Sequence, residues 1–366
     1  MEITIMELSK LGFTSHFENH LSALQPGTAA PARIVREDRS QYLAICSRGE
    51  IVLKLAGRFR HQTTFRAERP AVGDWVLAEL PESDGVGIIQ SILPRRSAFS
   101  RQMVGVGERA EAHVLAANID TVFIVMGLDG NYNLRRAERY ITLTWESGAV
   151  PVLVLNKADL VDDLDAILDE VAEIAVGVDV IAISAIERDG FEGLAPYLQE
   201  GKTVALLGSS GVGKSTIVNV LLGEERMATA AVSEFESKGR HTTTHRQLFV
   251  LPTGGLLIDT PGLRGMLLWA DDDSVAKTFE DIEALAANCK FADCTHQTEP
   301  GCAVKAAIAE GSLPPKRFES YNKQKKELQY LARRQDKTLQ ILERDKWKKI
   351  HMSIRELYKR EGKHKP

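Results

Sequence analysis

The chain has 366 residues, 44% of them apolar and 26% charged, with a net charge of −4, the balance of a globular protein with room for two or three domains. No apolar run reaches the roughly 18 residues that a membrane span needs, and the opening MEITIMELSKLGF lacks the basic-then-apolar plan of a secretory leader. Four cysteines are too few for a disulfide scaffold, so the expected setting is the reducing cytoplasm, away from membranes.

Residues 1–30 read as a short extension with room for one helix, closed by the breaker-rich QPGTAAPA. Residues 31–95 read as β-rich: RIVRE, YLAICS, EIVLKLAG, DWVLAEL and GIIQSILP are short apolar stretches between Gly, Pro and acidic turns. Five strands in this length fit a small closed barrel, of the OB or the SH3-like kind. Arg58, Arg60, His61 and Arg66 give the segment a basic character. Residues 96–112 read as a linker. From 113 to 273 strands and helices alternate. The strands are expected at 121–127, 150–156, 180–184, 203–208, 247–251 and 255–259, and helices at 133–147, 162–175, 191–199 and 214–222. Near-continuously apolar strands alternating with helices predict a buried, mainly parallel sheet. Residues 274–335 read as helical around a Cys/His cluster, and 336–366 as a basic tail. Residues 316–366 hold 17 Lys and Arg against 7 Asp and Glu, which leaves −14 on the rest of the chain. Such an end fits a polyanionic partner or, alternatively, a solvated helix face.

Gly208, Ser209, Ser210, Gly211, Val212, Gly213, Lys214, Ser215 and Thr216 follow an apolar strand and open a helix. This is the strand–loop–helix setting of a phosphate-binding loop. Its amides form an anion-binding nest at a helix N-terminus, Lys214 can neutralise β- and γ-phosphates, and Ser215 can offer its hydroxyl to Mg²⁺. That loop alone specifies a nucleoside triphosphate, as a kinase or ATPase also would. Asn156, Lys157, Ala158 and Asp159 end another strand and supply the base identity. A carboxylate on the Watson–Crick edge accepts from guanine N1–H and the 2-amino group, whereas adenine leaves it unpaired. Ser184 and Ala185 in the SAI string can present an amide to guanine O6. Asp259 in DTPG can hold Mg²⁺ and the Gly262 amide can sense the γ-phosphate; in the Thr-rich loop between, Thr242 and Thr243 are the candidates for a second Mg²⁺ contact. The expected cofactor is therefore Mg²⁺ with GTP, and GDP is the product. The base-reading loop precedes the phosphate loop, the reverse of the usual order, so the domain is expected to be circularly permuted; strand-end loops keep one site under such a change.

Leu263 stands where many GTPases carry a water-orienting Gln. Slow intrinsic hydrolysis completed by another group is expected, with His241 as the internal candidate for orienting water. A His241 that only packs or meets a partner is the competing reading, and Arg240 and Arg264 are further charge-stabilising candidates. Cys289, Cys294, His296 and Cys302 have the spacing C-x4-C-x-H-x5-C, which fits one closed, structural Zn²⁺ site. Cys46 stands apart and reads as core.

Taken together, VGDWV, LPRRSAFSR, NLRRAERY, NKADL, GSSGVGKST, GRHTTT, DTPGLR and CKFADCTHQTEPGCAV resemble the ribosome small-subunit-dependent GTPase A family over about residues 31–335. The resemblance implies an α/β fold: a circularly permuted P-loop GTPase domain, an N-terminal OB-fold barrel and a C-terminal α-helical zinc-binding domain. It implies GTP hydrolysis stimulated by the small ribosomal subunit during late maturation, with 16S rRNA contacts. It places the metal ligands on the same Cys/His set, the nucleotide contacts on Lys214, Ser215, Asn156, Lys157 and Asp159, and the switch-loop histidine on His241. A monomer is expected. A binding protein or RNA chaperone in which turnover is incidental, and an ATP-dependent kinase, are the alternatives in other classes.

Overall fold

The structure, a computed structural model, describes residues 8–24, 28–38, 41–57, 69–82, 85–104, 110–224, 246–259 and 272–329. Arg58, Arg60, His61 and Arg66, the Thr-rich loop and the 336–366 tail lie outside them.

The β-rich stretch forms strands β1 (Ala30–Glu37), β2 (Tyr42–Cys46), β3 (Gly49–Leu55), β4 (Trp75–Glu79) and β5 (Val86–Ile92). β1 pairs with β2, β2 with β3, β3 with β5, β5 with β4, and β4 back with β1. The circuit closes, so no edge is left exposed. The β3–β5 pairing is parallel. This closed order is the OB arrangement, which resolves the OB or SH3-like alternative. Alternation along β2 turns Tyr42, Ala44 and Cys46 inward onto Leu53, Val76 and Ile89, so Cys46 is core.

The stretch read as a linker is built as an antiparallel ribbon, β6 (Ala98–Val104) with β7 (Ala110–Ala117). Its mixed polar and apolar residues hide the strand period in the sequence. The strands of the second sheet region follow: β8 (Thr121–Gly127), β9 (Val150–Asn156), β10 (Asp179–Ile183), β11 (Thr203–Leu207), β12 (Gln247–Val250) and β13 (Leu256–Asp259). Their spatial order is β10-β9-β8-β11-β13-β12, parallel except for β12. Helix α1 (Ser15–Leu24) lies in the N-terminal extension; α2 (Leu134–Glu146), α3 (Leu164–Ala172) and α4 (Lys214–Leu222) connect the strands. The helix expected at 191–199 is instead a 3-10 turn, Phe191–Tyr197, entered by Gly190 at φ 75° and interrupted by Pro196; proline removes an amide and clashes with the preceding turn of an α-helix.

Barrel and parallel sheet are continuous, because β1 also pairs with β12 at Arg36 and Gln247. The seam is filled by Phe13 and Phe17 of the extension, which pack against Trp75, Phe13 edge-on with ring centroids 4.6 Å apart and Phe17 tilted. At its centre lies Arg33, 1% exposed. Its guanidinium donates to the carbonyls of Leu11, Gly73 and Asn118 and to Thr203 Oγ1, so extension, barrel and sheet share one donor. Burial lowers its pKa to about 10, which leaves it charged at neutral pH.

After the sheet come α5 (Asp272–Thr278), α6 (Glu280–Ala286), α7 (Ala303–Glu310) and a helix at 315–329, here α8. Val275, Phe279, Ile282, Val304, Leu313 and Tyr321 form their core, and Leu143 of α2 joins it. The seam between α2 and α8 is polar and buried. Glu138, fully shielded, pairs with Arg317 Nη1 at 3.1 Å and accepts from Ser320 Oγ at 2.5 Å. Arg317 also holds Asp281 at 2.7 Å and the Thr278 carbonyl. Thr142 Oγ1 meets Thr278 and Gln324.

Candidate functional site: a strand-end nucleotide cleft and a Cys/His cluster

Strands β8, β9, β10, β11 and β13 are parallel, so their C-terminal ends emerge along one margin of the sheet, where ligands bind in such folds. The loop after β11 runs so close to β8 that a Cβ on Gly208 would strike the Val125 carbonyl. Gly213 has φ 95°, and a Cβ there would strike Asn156 Nδ2. Glycine at both places is thus set by backbone approach. Gly213 is the N-cap of α4 and offers no side-chain cap, so the first amides of that helix face the loop with partial positive charge. Lys214 Nζ folds over the loop to the carbonyls of Gly208 at 2.9 Å and Ser209 at 2.5 Å. Ser215 and Thr216 follow in the first turn of α4, half-buried.

The base-reading loop meets this loop directly. Asn156, 2% exposed, donates from Nδ2 to the Val212 carbonyl at 2.8 Å and accepts on Oδ1 from the Ala185 amide at 3.0 Å. One side chain therefore ties together the loops after β9, β10 and β11. Lys157, at φ 70°, donates to the Gly211 carbonyl at 2.8 Å. Asp159 is exposed and accepts from Ser184 Oγ at 2.6 Å. The Ser184 hydroxyl also accepts from the Glu187 amide, at 3.2 Å, which fixes the SAI turn. Asp259 closes β13 on the same margin, opposite Gln247 of β12. The described residues hold Asn156, Lys157, Ala158, Asp159, Ser184, Ala185, Asp259 and the whole phosphate loop in one neighbourhood; Arg240, His241, Thr242, Thr243, Gly262, Leu263 and Arg264 lie outside them.

One participant was not singled out from the sequence. Asp129, two residues beyond the end of β8, takes Lys157 Nζ on Oδ2 at 2.5 Å and the Asn131 amide on Oδ1 at 2.9 Å. Partial burial pushes its carboxyl up, but the bonds from Lys157 and Asn131 outweigh that and hold it below the ordinary range. The available signal was position: GLDGN stands at the end of an apolar strand on the margin that carries NKAD. Beyond it, Asn133 caps α2 by accepting from the Arg136 amide at 2.9 Å.

The second site lies between α6 and α7. The ligand atoms of Cys289, Cys294, His296 and Cys302 all fall within 4.8 Å of one another. His296 Nδ1 is 3.6 Å from Cys289 Sγ and 3.4 Å from Cys302 Sγ, and those sulfurs are 3.9 Å apart. A tetrahedral cation with metal–sulfur distances near 2.3 Å and metal–nitrogen near 2.0 Å requires edges of about 3.5–3.8 Å, so the set fits one four-coordinate ion. His296 has φ 60°, a left-handed backbone that few residues other than glycine adopt. Cys302 is the N-cap of α7, and its sulfur accepts from the Lys305 amide at 3.4 Å; helix-start amides favour a thiolate. Desolvation raises the Cys294 thiol to about 11, and the neighbouring sulfurs of Cys302 and Cys289 add to it. Glu299 braces the loop through Thr295 Oγ1 and the Thr295, Gln297 and Thr298 amides.

A parallel sheet with a phosphate loop and a guanine-type base loop at one margin, in inverted chain order, defines a circularly permuted P-loop GTPase carrying an OB-like barrel and a helical Cys/His module. Comparison with known proteins agrees. The family model described as RsgA GTPase matches residues 92–269. One described as 50S ribosome-binding GTPase matches 203–366 and so begins at the strand before the phosphate loop. A protein of Opitutus terrae named small ribosomal subunit biogenesis GTPase RsgA is 48% identical, covering 98% of this chain and all of its own. The equivalent from Syntrophotalea carbinolica is 42% identical over 94% of this chain and 96% of its own. The crystal structure of YjeQ from Thermotoga maritima superposes with a TM-score of 0.62 at 27% identity, covering 82% of this chain and 98% of that one. That of YloQ, a circularly permuted GTPase, has a TM-score of 0.61 at 24% identity, over 83% and 96%, and shares the fold. The chain belongs to the RsgA family of small ribosomal subunit biogenesis GTPases and is a GTP-hydrolysing enzyme.

Proposed function

We propose that this GTPase binds the small ribosomal subunit through its 16S rRNA, hydrolyses GTP when the subunit stimulates it during late maturation, and leaves as the GDP form. The observation that carries the reading is Asn156, whose single amide joins the three loops that must converge on one guanine nucleotide. Asp159, steadied by Ser184, reads the guanine edge, with the Ala185 amide at O6. The amides of residues 208–216 cradle the phosphates, and Lys214 exchanges its two loop carbonyls for phosphate oxygens as negative charge shifts toward the leaving group. Ser215 and Asp259, with Thr242 or Thr243, are the residues that would hold Mg²⁺, which would supply positive charge beside the phosphates, and the Gly262 amide would sense the γ-phosphate. Leu263 cannot orient a water, so His241 is assigned that task, completed when the subunit is bound.

The Cys289, Cys294, His296 and Cys302 set is assigned to one structural Zn²⁺: three thiolates and an imidazole suit that borderline-soft ion, and four protein ligands leave no open position. The division proposed is an extension to 30, a barrel over 31–95, a connecting segment over 96–112, the permuted GTPase over 113–273, the zinc module over 274–335 and a basic tail to 366. The barrel, the module and the tail form the surface for rRNA backbone. The protein acts as a cytoplasmic monomer; among the described residues no helix is long and apolar enough to cross a membrane.

Multiple- and single-turnover GTP hydrolysis titrated with small subunits, large subunits and free rRNA tests this. Stimulation by small subunits alone is expected. Equal stimulation by large subunits, or none by either, would overturn the reading and favour a nucleotide-set RNA-binding protein.

A further inference from the structure

We propose that Asp129 is a positioning residue for guanine-nucleotide affinity, clamping Lys157 across the cleft between the base-reading loop and the phosphate loop. The inference rests on the assignment of that cleft as the guanine site. Lys157 Nζ is held by two acceptors, Asp129 Oδ2 at 2.5 Å and the Gly211 carbonyl at 2.8 Å. Its long stem is thereby laid between residues that read the base and residues that cradle phosphate. A lysine stem is otherwise free to sample many rotamers, and ordering it only on ligand binding subtracts from affinity.

The surroundings fix the carboxylate as well. Oδ1 is committed to the Asn131 amide, the Asn131 side chain also bonds the carboxylate, and Oδ2 takes Lys157. Gly127, the last residue of β8, makes room: a Cβ there would lie 2.8 Å from Asp129 Oδ1 and 3.5 Å from Val212 Cα of the phosphate loop. The absence of a side chain at 127 thus lets carboxylate, lysine and phosphate loop pack at one point. The pair is about three-quarters shielded, with side-chain exposures of 23% for Lys157 and 26% for Asp129. Because Asp129 stays ionised through neutral pH, the clamp is set before nucleotide arrives.

Equilibrium binding of fluorescent GDP to the full chain, with Asp129→Ala, Lys157→Ala and the double variant, tests the clamp. Asp129→Ala should weaken GDP and GTP by about three- to tenfold, the size of one partly exposed ion pair. Its cost in hydrolysis should fall on KM rather than kcat. If Asp129 acts through Lys157, the double variant binds no more weakly than Lys157→Ala alone. Multiplying effects, or unchanged affinity, overturn the proposal. Asp129→Asn keeps an acceptor for the Asn131 amide and removes the charge; it should lose affinity at an unchanged melting temperature, and a loss that follows melting temperature instead also overturns it. In the same assay Asp159→Asn should exchange GDP for xanthosine diphosphate preference. Failure of that exchange rejects the guanine site itself, whereas success with additive Asp129 and Lys157 effects rejects only the clamp.

Discussion

Two networks of polar and charged side chains in this molecule are built in opposite ways. In the cleft, Asn156, Lys157, Asp159 and Lys214 bond mainly to loop backbone, and Lys157 and Asp159 stand partly or largely in water. At the seam of α2 and α8, Glu138, Arg317, Thr142 and Gln324 bond to one another away from water. A carbonyl partner can be exchanged for a ligand at little cost. A buried carboxylate cannot lose its arginine without a large penalty, because nothing replaces the lost solvation. The difference separates a site built to trade contacts from a joint built to keep them.

That contrast can be broken by variants. Lys214→Ala should give the largest effect, a fall in turnover on the order of a hundred- to a thousandfold, with little change in melting temperature. Comparable loss of stability would mean that the cleft is a joint too. Arg317→Ala should do the reverse. It leaves the buried Glu138 with only the part-exposed Arg135 and the Ser320 hydroxyl as partners and should destabilise by about 3 kcal/mol, read by denaturant unfolding, while GDP affinity in the folded protein is retained. A smaller effect is expected at the Cys/His cluster. Since the free Cys294 thiol holds its proton up to about pH 11, metal binding at neutral pH must expel that proton. Zinc affinity should therefore fall as pH is lowered, and calorimetry in buffers of different ionisation enthalpy should record proton release. Affinity that does not change with pH would count thiolate ligation out.

The cleft was legible in the sequence because its chemistry admits few residue types. A phosphate cradle needs glycine where Gly208 and Gly213 crowd neighbouring strands, and a guanine edge needs a carboxylate at a strand end. The Cys/His cluster was legible from spacing alone. The joint was not: nothing in the sequence pairs Glu138 with Arg317, since pattern carries no information about residues 179 positions apart. Arg33 was hidden for the same reason, its partners running from Leu11 to Thr203. Asp129 fell between the two cases. Its strand-end position was visible, but its pairing with Lys157 depends on the lateral neighbourhood of β8 and β9, which order along the chain does not announce. The 3-10 turn at Phe191–Tyr197 shows local chemistry prevailing over apolar spacing, through Pro196.

Strand β1 is both a stave of the barrel and the neighbour of β12. β12 starts one residue after Arg246, where the Thr-rich segment ends. The barrel and the strand that follows the Thr-rich segment are therefore joined directly by backbone pairing at Arg36 and Gln247 and not by a connecting loop alone.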